Sequence, residues 1–167
     1  MLTNARLVHQ PHDHVRSMNA AINRAHEICA KSNVRLTPTR EAILKLLWQS
    51  HQPLGAYQLQ QQLSKVTDKP VAPPTIYRAI EFLIDLGLVH RIPSLNAFIG
   101  CPFPNSEHSN IFLICQECKT VAEMADNRVN NLLEGFCDMV NFKHESQIIE
   151  IFGCCPNCQA KVSEEDE

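Results

Sequence analysis

Two Cys-x-x-Cys pairs constrain this chain more than any other feature of its sequence. The first pair is Cys115 with Cys118, the second is Cys155 with Cys158, and 36 residues separate them. Each pair can bind one side of a tetrahedral metal ion, and together they supply the four thiolates of a closed structural zinc site. Two disulfides or unrelated core thiols are the alternatives. The spacing favours a zinc ion that joins distant segments of one small domain.

The composition is that of a globular protein without a membrane span. Of the 167 residues, 44% are hydrophobic and 20% are charged, which is enough for the core of one domain or two small ones. The sequence has no apolar run of about 18 residues, and its N-terminus lacks the layout of a signal peptide. We therefore expect a cytoplasmic protein whose eight cysteines stay reduced and serve as metal ligands or core residues.

The net charge of −3 hides a difference between the two halves of the chain. Residues 34–92 contain seven lysines and arginines against four acids, a net charge of +3, whereas residues 93–167 contain four against twelve, a net charge of −8. A basic first half beside an acidic second half indicates that only the first approaches a polyanion. Two solvated surfaces of different composition would give the same numbers.

Residues 16–100 have the pattern of a winged helix-turn-helix domain. Helical periodicity covers 16–32, and further helices are predicted to begin near Pro38, near Ala56 and near Pro74. Two short β-rich runs between 88 and 99, separated by turn residues, predict the hairpin that forms the wing.

The predicted helix at 74–86 occupies the recognition position of such a domain. Its first half presents Thr75, Tyr77 and Arg78 away from the apolar stripe. Arg78 can bind a guanine edge or a phosphate, and the two hydroxyl groups can reach phosphate oxygens. An ion pair between Arg78 and Glu81, or a winged helix that binds protein, is the alternative to DNA binding.

The rest of the chain is expected to form a hinge or linker at 101–109 and a small α/β dimerisation and metal-binding domain at 110–160. Apolar runs at 111–114 and 147–152 predict strands, and apolar spacing at 129–140 predicts a helix. A core this small needs zinc or a partner subunit as further support.

Both ends of the chain are polar. Residues 1–15 are expected to be a flexible tail, although their His9, His12 and His14 form a tract of a kind that can bind metal. Residues 161–167 are expected to be a solvated acidic tail.

Four good metal ligands remain around the predicted hinge: His90, Cys101, His108 and Glu123. Their spacing matches no helix-face or knuckle motif, and each has an ordinary explanation as a surface or core residue. Two belong to the first domain or hinge and two to the second. A metal that bound all four would fix the angle between the domains.

The chain resembles the ferric-uptake-regulator family of bacterial metal-sensing repressors from about Ala25 to Cys158. The resemblance rests on the two cysteine pairs and on three segments, which read Arg-Leu-Thr-Pro-Thr-Arg at 35–40, Pro-Thr-Ile-Tyr-Arg-Ala at 74–79 and Leu-Gly-Leu-Val-His at 86–90. It implies a homodimer with an N-terminal winged helix and a C-terminal α/β dimerisation domain.

The resemblance also implies roles for individual residues. The structural zinc would be bound by Cys115, Cys118, Cys155 and Cys158. A regulatory zinc of the kind found in zinc-sensing members would be bound by His90, Cys101, His108 and Glu123. Recognition-helix contacts to DNA would fall on Tyr77 and Arg78. The chain departs from the iron-sensing members at His108-Ser109-Asn110, where they have a His-x-His-like cluster, and Asn110 is a poor ligand for any additional site with His144.

The expected function is a repressor that binds operator DNA when zinc, as corepressor, selects the binding orientation of the two domains. A thiolate, two imidazoles and a carboxylate suit zinc better than ferrous iron or manganese. Sensing of iron, manganese or peroxide within the same family is the nearest alternative. A zinc deaminase would need glutamate two residues after its histidine, whereas His108 is followed by Ser109 and Asn110. The sequence therefore argues against a zinc hydrolase or deaminase. A zinc-ribbon adaptor that binds protein is a third possibility.

Overall fold

The computed structural model describes residues 14–49, 52–104, 110–124 and 126–165. These residues divide into two compact units, an N-terminal unit within 11–105 and a C-terminal unit within 106–167. Most of the predicted tail at 1–15 and the candidate ligand His108 lie outside the described residues. No helix in the described ranges is long and apolar enough to span a membrane.

The N-terminal unit consists of four helices followed by a two-stranded antiparallel hairpin. These elements are α1 His14–Lys31, α2 Pro38–Trp48, α3 Ala56–Thr67, α4 Pro73–Asp85, β1 Val89–Ile92 and β2 Ala97–Gly100. Thr37 caps α2, with its side-chain oxygen 3.5 Å from the Arg40 amide and proline in the next position. Gly87 turns the chain from α4 into the hairpin at φ +66°, a left-handed conformation that favours glycine.

One hydrophobic core holds the N-terminal unit together. Each of the four helices buries an apolar stripe in it, with Ile43, Leu59 and Leu83 at 0% exposure. Leu54 extends the hairpin, because it exchanges two backbone hydrogen bonds of 3.0 and 2.9 Å with Phe98. The hairpin is therefore fixed to the helices, and α4 packs against it as the recognition helix of a winged helix does. Helices, hairpin and α/β unit confirm the predicted fold class.

The C-terminal unit is a three-stranded sheet with two helices. Its elements are β3 Ile111–Cys115, β4 Val121–Met124, α5 Asn127–Met139, β5 Ile149–Gly153 and α6 Pro156–Glu165. The strand order is β4-β3-β5, with β4 antiparallel and β5 parallel to the central β3. A parallel pair needs a crossover connection, which is supplied here by the segment that contains α5.

The two helices of this unit differ from what the sequence predicts. The periodicity of α5 predicts a buried apolar face, yet none of its residues is buried within the chain. Helix α6 was not predicted at all, and it includes Cys158. Because α5 contributes no buried residue to a core, the unit needs other supports.

Candidate metal centres and nucleic-acid interface

The four cysteines of the two pairs lie together at one end of the C-terminal sheet. Cys115 ends β3 and pairs in register with Gly153, the last residue of the parallel strand β5. Because parallel strands end at the same edge, both cysteine turns leave the sheet side by side. The Sγ atoms of Cys115, Cys118, Cys155 and Cys158 all lie within 4.8 Å of one another.

This cluster has the dimensions of a zinc site and not of a disulfide. Zinc–sulfur bonds of about 2.3 Å in a tetrahedron place the sulfurs about 3.8 Å apart. The Sγ atoms of Cys118 and Cys155 are 3.7 Å apart, whereas a disulfide bond is about 2.05 Å long. All eight cysteines are among the described residues, and no disulfide joins any of them. The four cysteines could therefore hold a zinc ion.

Hydrogen bonds set the protonation of the four thiols unequally. Burial raises the pKa of Cys115, but amide donors from Cys118, Cys155 and Glu117 outweigh it and lower that pKa to about 6. The Thr120 hydroxyl lowers the pKa of Cys118. The pKa of Cys158 rises to about 12, first because of its hydrogen bond with Cys155. Four adjacent thiols repel one another as thiolates, so they need a cation to ionise together.

The backbone of the first cysteine turn is shaped for this cluster. Lys119 has φ +61°, and its amide donates to the Cys115 carbonyl at 3.0 Å.

Cys154 is exposed and lies outside the group of four clustered cysteines. The two-residue spacing in each pair therefore identifies the clustered cysteines correctly.

His90 and Cys101, two of the candidate regulatory ligands, lie on one face of the β1–β2 hairpin. His90 is opposite Ile99, and the Cys101 amide donates to the Leu88 carbonyl at 2.9 Å, which extends the ladder by one residue. Diagonal neighbours on one face of such a pair can touch. A ring nitrogen of His90 lies within 4.8 Å of the Cys101 sulfur, and Cys101 is only 2% exposed.

The hairpin backbone next to Cys101 is packed too closely for a side chain. A Cβ atom on Gly100 would lie 2.3 Å from Nε1 of Trp48, at the end of α2. Trp48 is the single tryptophan of the chain. Glycine at position 100 thus allows the indole to contact the strand that delivers Cys101.

The other two candidate regulatory ligands are in the second half of the chain. Glu123 lies on β4, opposite Phe112 of β3, and its side chain is 4% exposed. A carboxylate this buried is rare unless it is paired or binds a cation. His108 lies outside the described residues, so the complete four-ligand set stays a prediction.

The three predicted DNA-contacting residues share the exposed side of α4. Thr75, Tyr77 and Arg78 are exposed, whereas Ile76, Ala79 and Ile80 on the opposite side are buried. No ion pair joins Arg78 to Glu81 in the part of the chain that the structure describes, and the guanidinium is available to a ligand. This removes one alternative explanation for Arg78.

Helix α3 holds the segment that leads into α4. The Gln60 amide donates to the Val71 carbonyl at 2.7 Å, and the Val71 amide donates to the Ser64 hydroxyl at 3.2 Å. Both bonds connect Val71 to α3. They fix the start of α4, where its exposed polar residues lie.

Arg40 is a functional candidate that the sequence analysis missed. Its guanidinium lies over the Phe82 ring of α4, 3.4 Å from the centroid, and donates to the Arg35 carbonyl at 2.7 Å. A cation above an aromatic face is stabilised by the ring quadrupole. Arg40 and Phe82 are far apart in sequence, and the positive charge of Arg40 was the only signal available.

Large apolar side chains remain exposed on α5, on the following segment and on β5. Their exposed fractions run from 47% to 80%, and they are Leu132, Phe136, Met139, Val140, Phe142, Ile148, Ile151 and Phe152. Strand β5 is also an edge of the three-stranded sheet. Exposed large apolar side chains in such number are typical of a protein–protein surface.

Comparison with known proteins agrees with this architecture. The sequence pattern described as "Ferric uptake regulator family" matches residues 31–152. The zinc uptake regulation protein of Escherichia coli (strain K12) is 33% identical over 135 residues, which are 80% of this chain and 78% of that protein. The peroxide-responsive repressor PerR of Staphylococcus saprophyticus is 30% identical over 131 residues, 78% of this chain and 86% of that protein.

Solved structures show the same relationship. A zinc uptake regulator complexed with zinc and DNA has a TM-score of 0.82 at 30% identity, covering 87% of this chain and 97% of that one. The crystal structure of holo XcZur has a TM-score of 0.75 at 36% identity, covering 85% and 99%. The chain belongs to the ferric uptake regulator family.

Proposed function

We propose that the protein is a zinc-responsive transcriptional repressor that binds operator DNA as a homodimer, with zinc as corepressor. The observation that carries this proposal is the pairing of His90 with Cys101 on the wing of a winged helix. A thiolate beside an imidazole suits zinc, whereas ferrous iron and manganese favour nitrogen and oxygen sets. Similarity to zinc uptake regulators, one of them complexed with zinc and DNA, supports the same reading.

Each subunit is proposed to bind two zinc ions. The cluster of Cys115, Cys118, Cys155 and Cys158 would hold the structural ion, since its sulfurs already have tetrahedral spacing. His90, Cys101, His108 and Glu123 would hold the regulatory ion. The buried carboxylate of Glu123 supports this assignment, because buried acids need a counter-charge.

The regulatory ligands come from both halves of the chain, and this gives them a switching role. When bound, zinc would supply the four coordination bonds that hold the two halves in one orientation. Moving a two-state equilibrium from mostly open to mostly closed requires about 5.5 kcal/mol of differential binding. Four-ligand zinc sites release about 10–16 kcal/mol, which is enough. By linkage, operator DNA must then tighten zinc binding by the same factor.

Helix α4 is proposed to enter the major groove and to present Thr75, Tyr77 and Arg78 to DNA. The exposure of all three side chains supports this role. Arg78→Ala should weaken operator binding by about 1–3 kcal/mol if the guanidinium reads a base edge. Fluorescence anisotropy on operator and on scrambled DNA checks it, since equal losses on both would make Arg78 a phosphate contact. Arg91→Ala, an exposed wing arginine, is the matched control.

The homodimer is proposed to form through the exposed apolar side chains of the C-terminal unit. Side chains such as Phe136 and Phe152 are about half exposed in the single chain, and β5 is an edge strand of the sheet, the kind of strand beside which a second copy can pack. A repressor of this kind needs no catalytic site. Its expected location is the cytoplasm, where thiols stay reduced.

A regulator of the same family that senses iron, manganese or peroxide is the second candidate function. The 30% identity to a peroxide-responsive repressor is the observation that favours it. Metal content of the protein purified without chelators, followed by competition between zinc and ferrous iron, separates the two. Tighter binding of iron at the site with Cys101 would replace the zinc proposal.

DNA binding titrated against buffered free zinc tests the proposed function. The full-length protein should bind its own upstream DNA only above a threshold of free zinc. Cys101→Ser should bind the operator at no concentration of free zinc, and it should remain a folded dimer with one zinc per subunit. Cys154→Ser, which changes an exposed cysteine outside the cluster, should behave like the wild type. Zinc-dependent DNA binding by Cys101→Ser would show that the ligand set is wrong.

A further inference from the structure

The backbone immediately after Cys101 is tied to helix α1. We call residues 101–104 the strap, because they leave the hairpin and end the N-terminal unit. The Phe103 amide approaches the Cys101 sulfur at 3.3 Å. One terminal nitrogen of the Arg24 guanidinium donates to the Pro102 carbonyl at 3.4 Å, across 78 residues of sequence.

Arg24 has few of the partners that a half-buried guanidinium normally has. Its Nε atom is buried and makes no hydrogen bond to any described residue, and no carboxylate in the described part of the chain forms an ion pair with it. Leaving a charged donor buried without an acceptor is costly. An arginine at position 24 is therefore expected to have a role that an apolar residue could not fill.

The hydrogen bond from Arg24 restricts the backbone that carries Cys101. A ligand that is already ordered loses less conformational entropy on binding. This restraint should therefore favour zinc binding beside His90.

We propose that Arg24 is a positioning residue for the regulatory zinc site, acting through the Pro102 carbonyl on Cys101. This inference rests on the proposed function, since it assigns Cys101 to that site. It makes α1 part of the sensor: the bond between Arg24 and the strap sets the free-zinc concentration at which the repressor responds. The surface that contacts DNA is left unchanged.

Zinc titrations of the full-length dimer test the role of Arg24. Arg24→Gln should raise the free zinc needed for half-maximal operator binding by about tenfold, as expected for one lost charged hydrogen bond. Operator affinity at saturating zinc should stay that of the wild type. Arg24→Lys keeps the charge and one donor, and should fall between the two. Arg16→Gln changes an exposed arginine of the same helix and is the matched control.

A second readout does not involve DNA. Trp48 lies against Gly100, next to Cys101, so its emission should change when zinc fills the site. Chelator competition followed by Trp48 emission should show the same tenfold shift for Arg24→Gln. If Arg24→Gln fails to fold, Arg24→Lys carries the test.

The outcomes separate this inference from the proposed function. An unchanged zinc midpoint in Arg24→Gln overturns the positioning role while the wild type still responds to zinc. Equal losses of operator affinity at low and saturating zinc also overturn it, because they indicate a general structural role. Operator binding by the wild type that ignores zinc overturns the proposed function itself.

Discussion

The two units bury apolar surface in different ways. In the N-terminal unit, four helices and the hairpin close around one core in which Ile43, Leu59 and Leu83 are completely buried. In the C-terminal unit, the sheet buries residues such as Phe112, but α5 buries none and Phe136 remains 56% exposed. The N-terminal unit therefore has the means to fold by itself. The C-terminal unit has little core of its own, so we expect it to need the proposed zinc site and a partner subunit as further support.

The largest expected effect is the loss of the structural zinc. Cys115→Ser removes one of the four clustered cysteines and should release the structural zinc. Since a site of this kind supplies about 10–16 kcal/mol to folding, the C-terminal unit should unfold and the dimer dissociate. Hydrogen exchange of the full chain should show loss of protection in β3–β5 and retention in α2.

If Cys115→Ser also removed protection from α2, the N-terminal unit would not fold independently of the zinc site. A zinc content equal to that of wild type would show instead that Cys154 or another ligand replaces Cys115. Cys154→Ser serves as the control, because it changes a neighbouring thiol outside the cluster.

A smaller effect is expected in the N-terminal core. Leu59→Ala empties a completely buried position on α3 and should lower the free energy of unfolding of that unit by about 2–5 kcal/mol. Urea unfolding followed by Trp48 emission measures it. Val66→Ala on the same helix, where the side chain is 66% exposed, should have little effect. A similar loss in both variants would mean that α3 is not anchored by its buried face.

The dimer surface should respond to a charge. Phe136→Glu places a carboxylate in the proposed apolar interface and forfeits about 1.5–3 kcal/mol of burial per subunit. Analytical ultracentrifugation should show a weaker dimer, with two zinc ions still bound per monomer. Val66→Glu changes an equally exposed apolar residue of the other unit and should leave the dimer intact. A dimer unaffected by Phe136→Glu would place the interface elsewhere.

The smallest effect concerns the start of α5. Asp126 caps the helix and binds the Arg128 side chain, which lowers the pKa of Asp126 to about 2. A lowered carboxyl pKa stabilises the folded state above the ordinary value near 4 and loses this contribution only as pH falls toward 2. The decrease in melting temperature caused by Asp126→Asn should therefore be the same at pH 6 and pH 8. Glu134→Gln, on the exposed side of the same helix, is the control.

The sequence predicts the local elements of this protein well. Helical spacing locates α1 to α4, and the Thr37-Pro38 pair marks the start of α2 because a cap followed by proline has few other uses. The two-residue spacing within the cysteine pairs also selects the four thiols that cluster.

Features that depend on contacts between distant segments could not be predicted from the sequence. The apolar period of α5 predicts that Phe136 packs against something, but it does not tell whether that surface belongs to the same chain or to a second one. Helix α6 was missed because its polar sequence has no apolar period. The contacts of Arg24 with Pro102 and of Arg40 with Phe82 join segments that share no local pattern.

The left-handed backbone at Lys119 has a consequence for how metal is lost. A lysine in this conformation costs about 1–3 kcal/mol compared with its relaxed state, and glycine would adopt it more cheaply. If the four cysteines bind zinc as proposed, loss of the ion would remove the metal–sulfur bonds that help to hold the turn at 115–119 in this shape. Loss of the metal and unfolding of this turn should then occur together. In a Lys119→Gly protein, the metal-free turn should stay folded for longer.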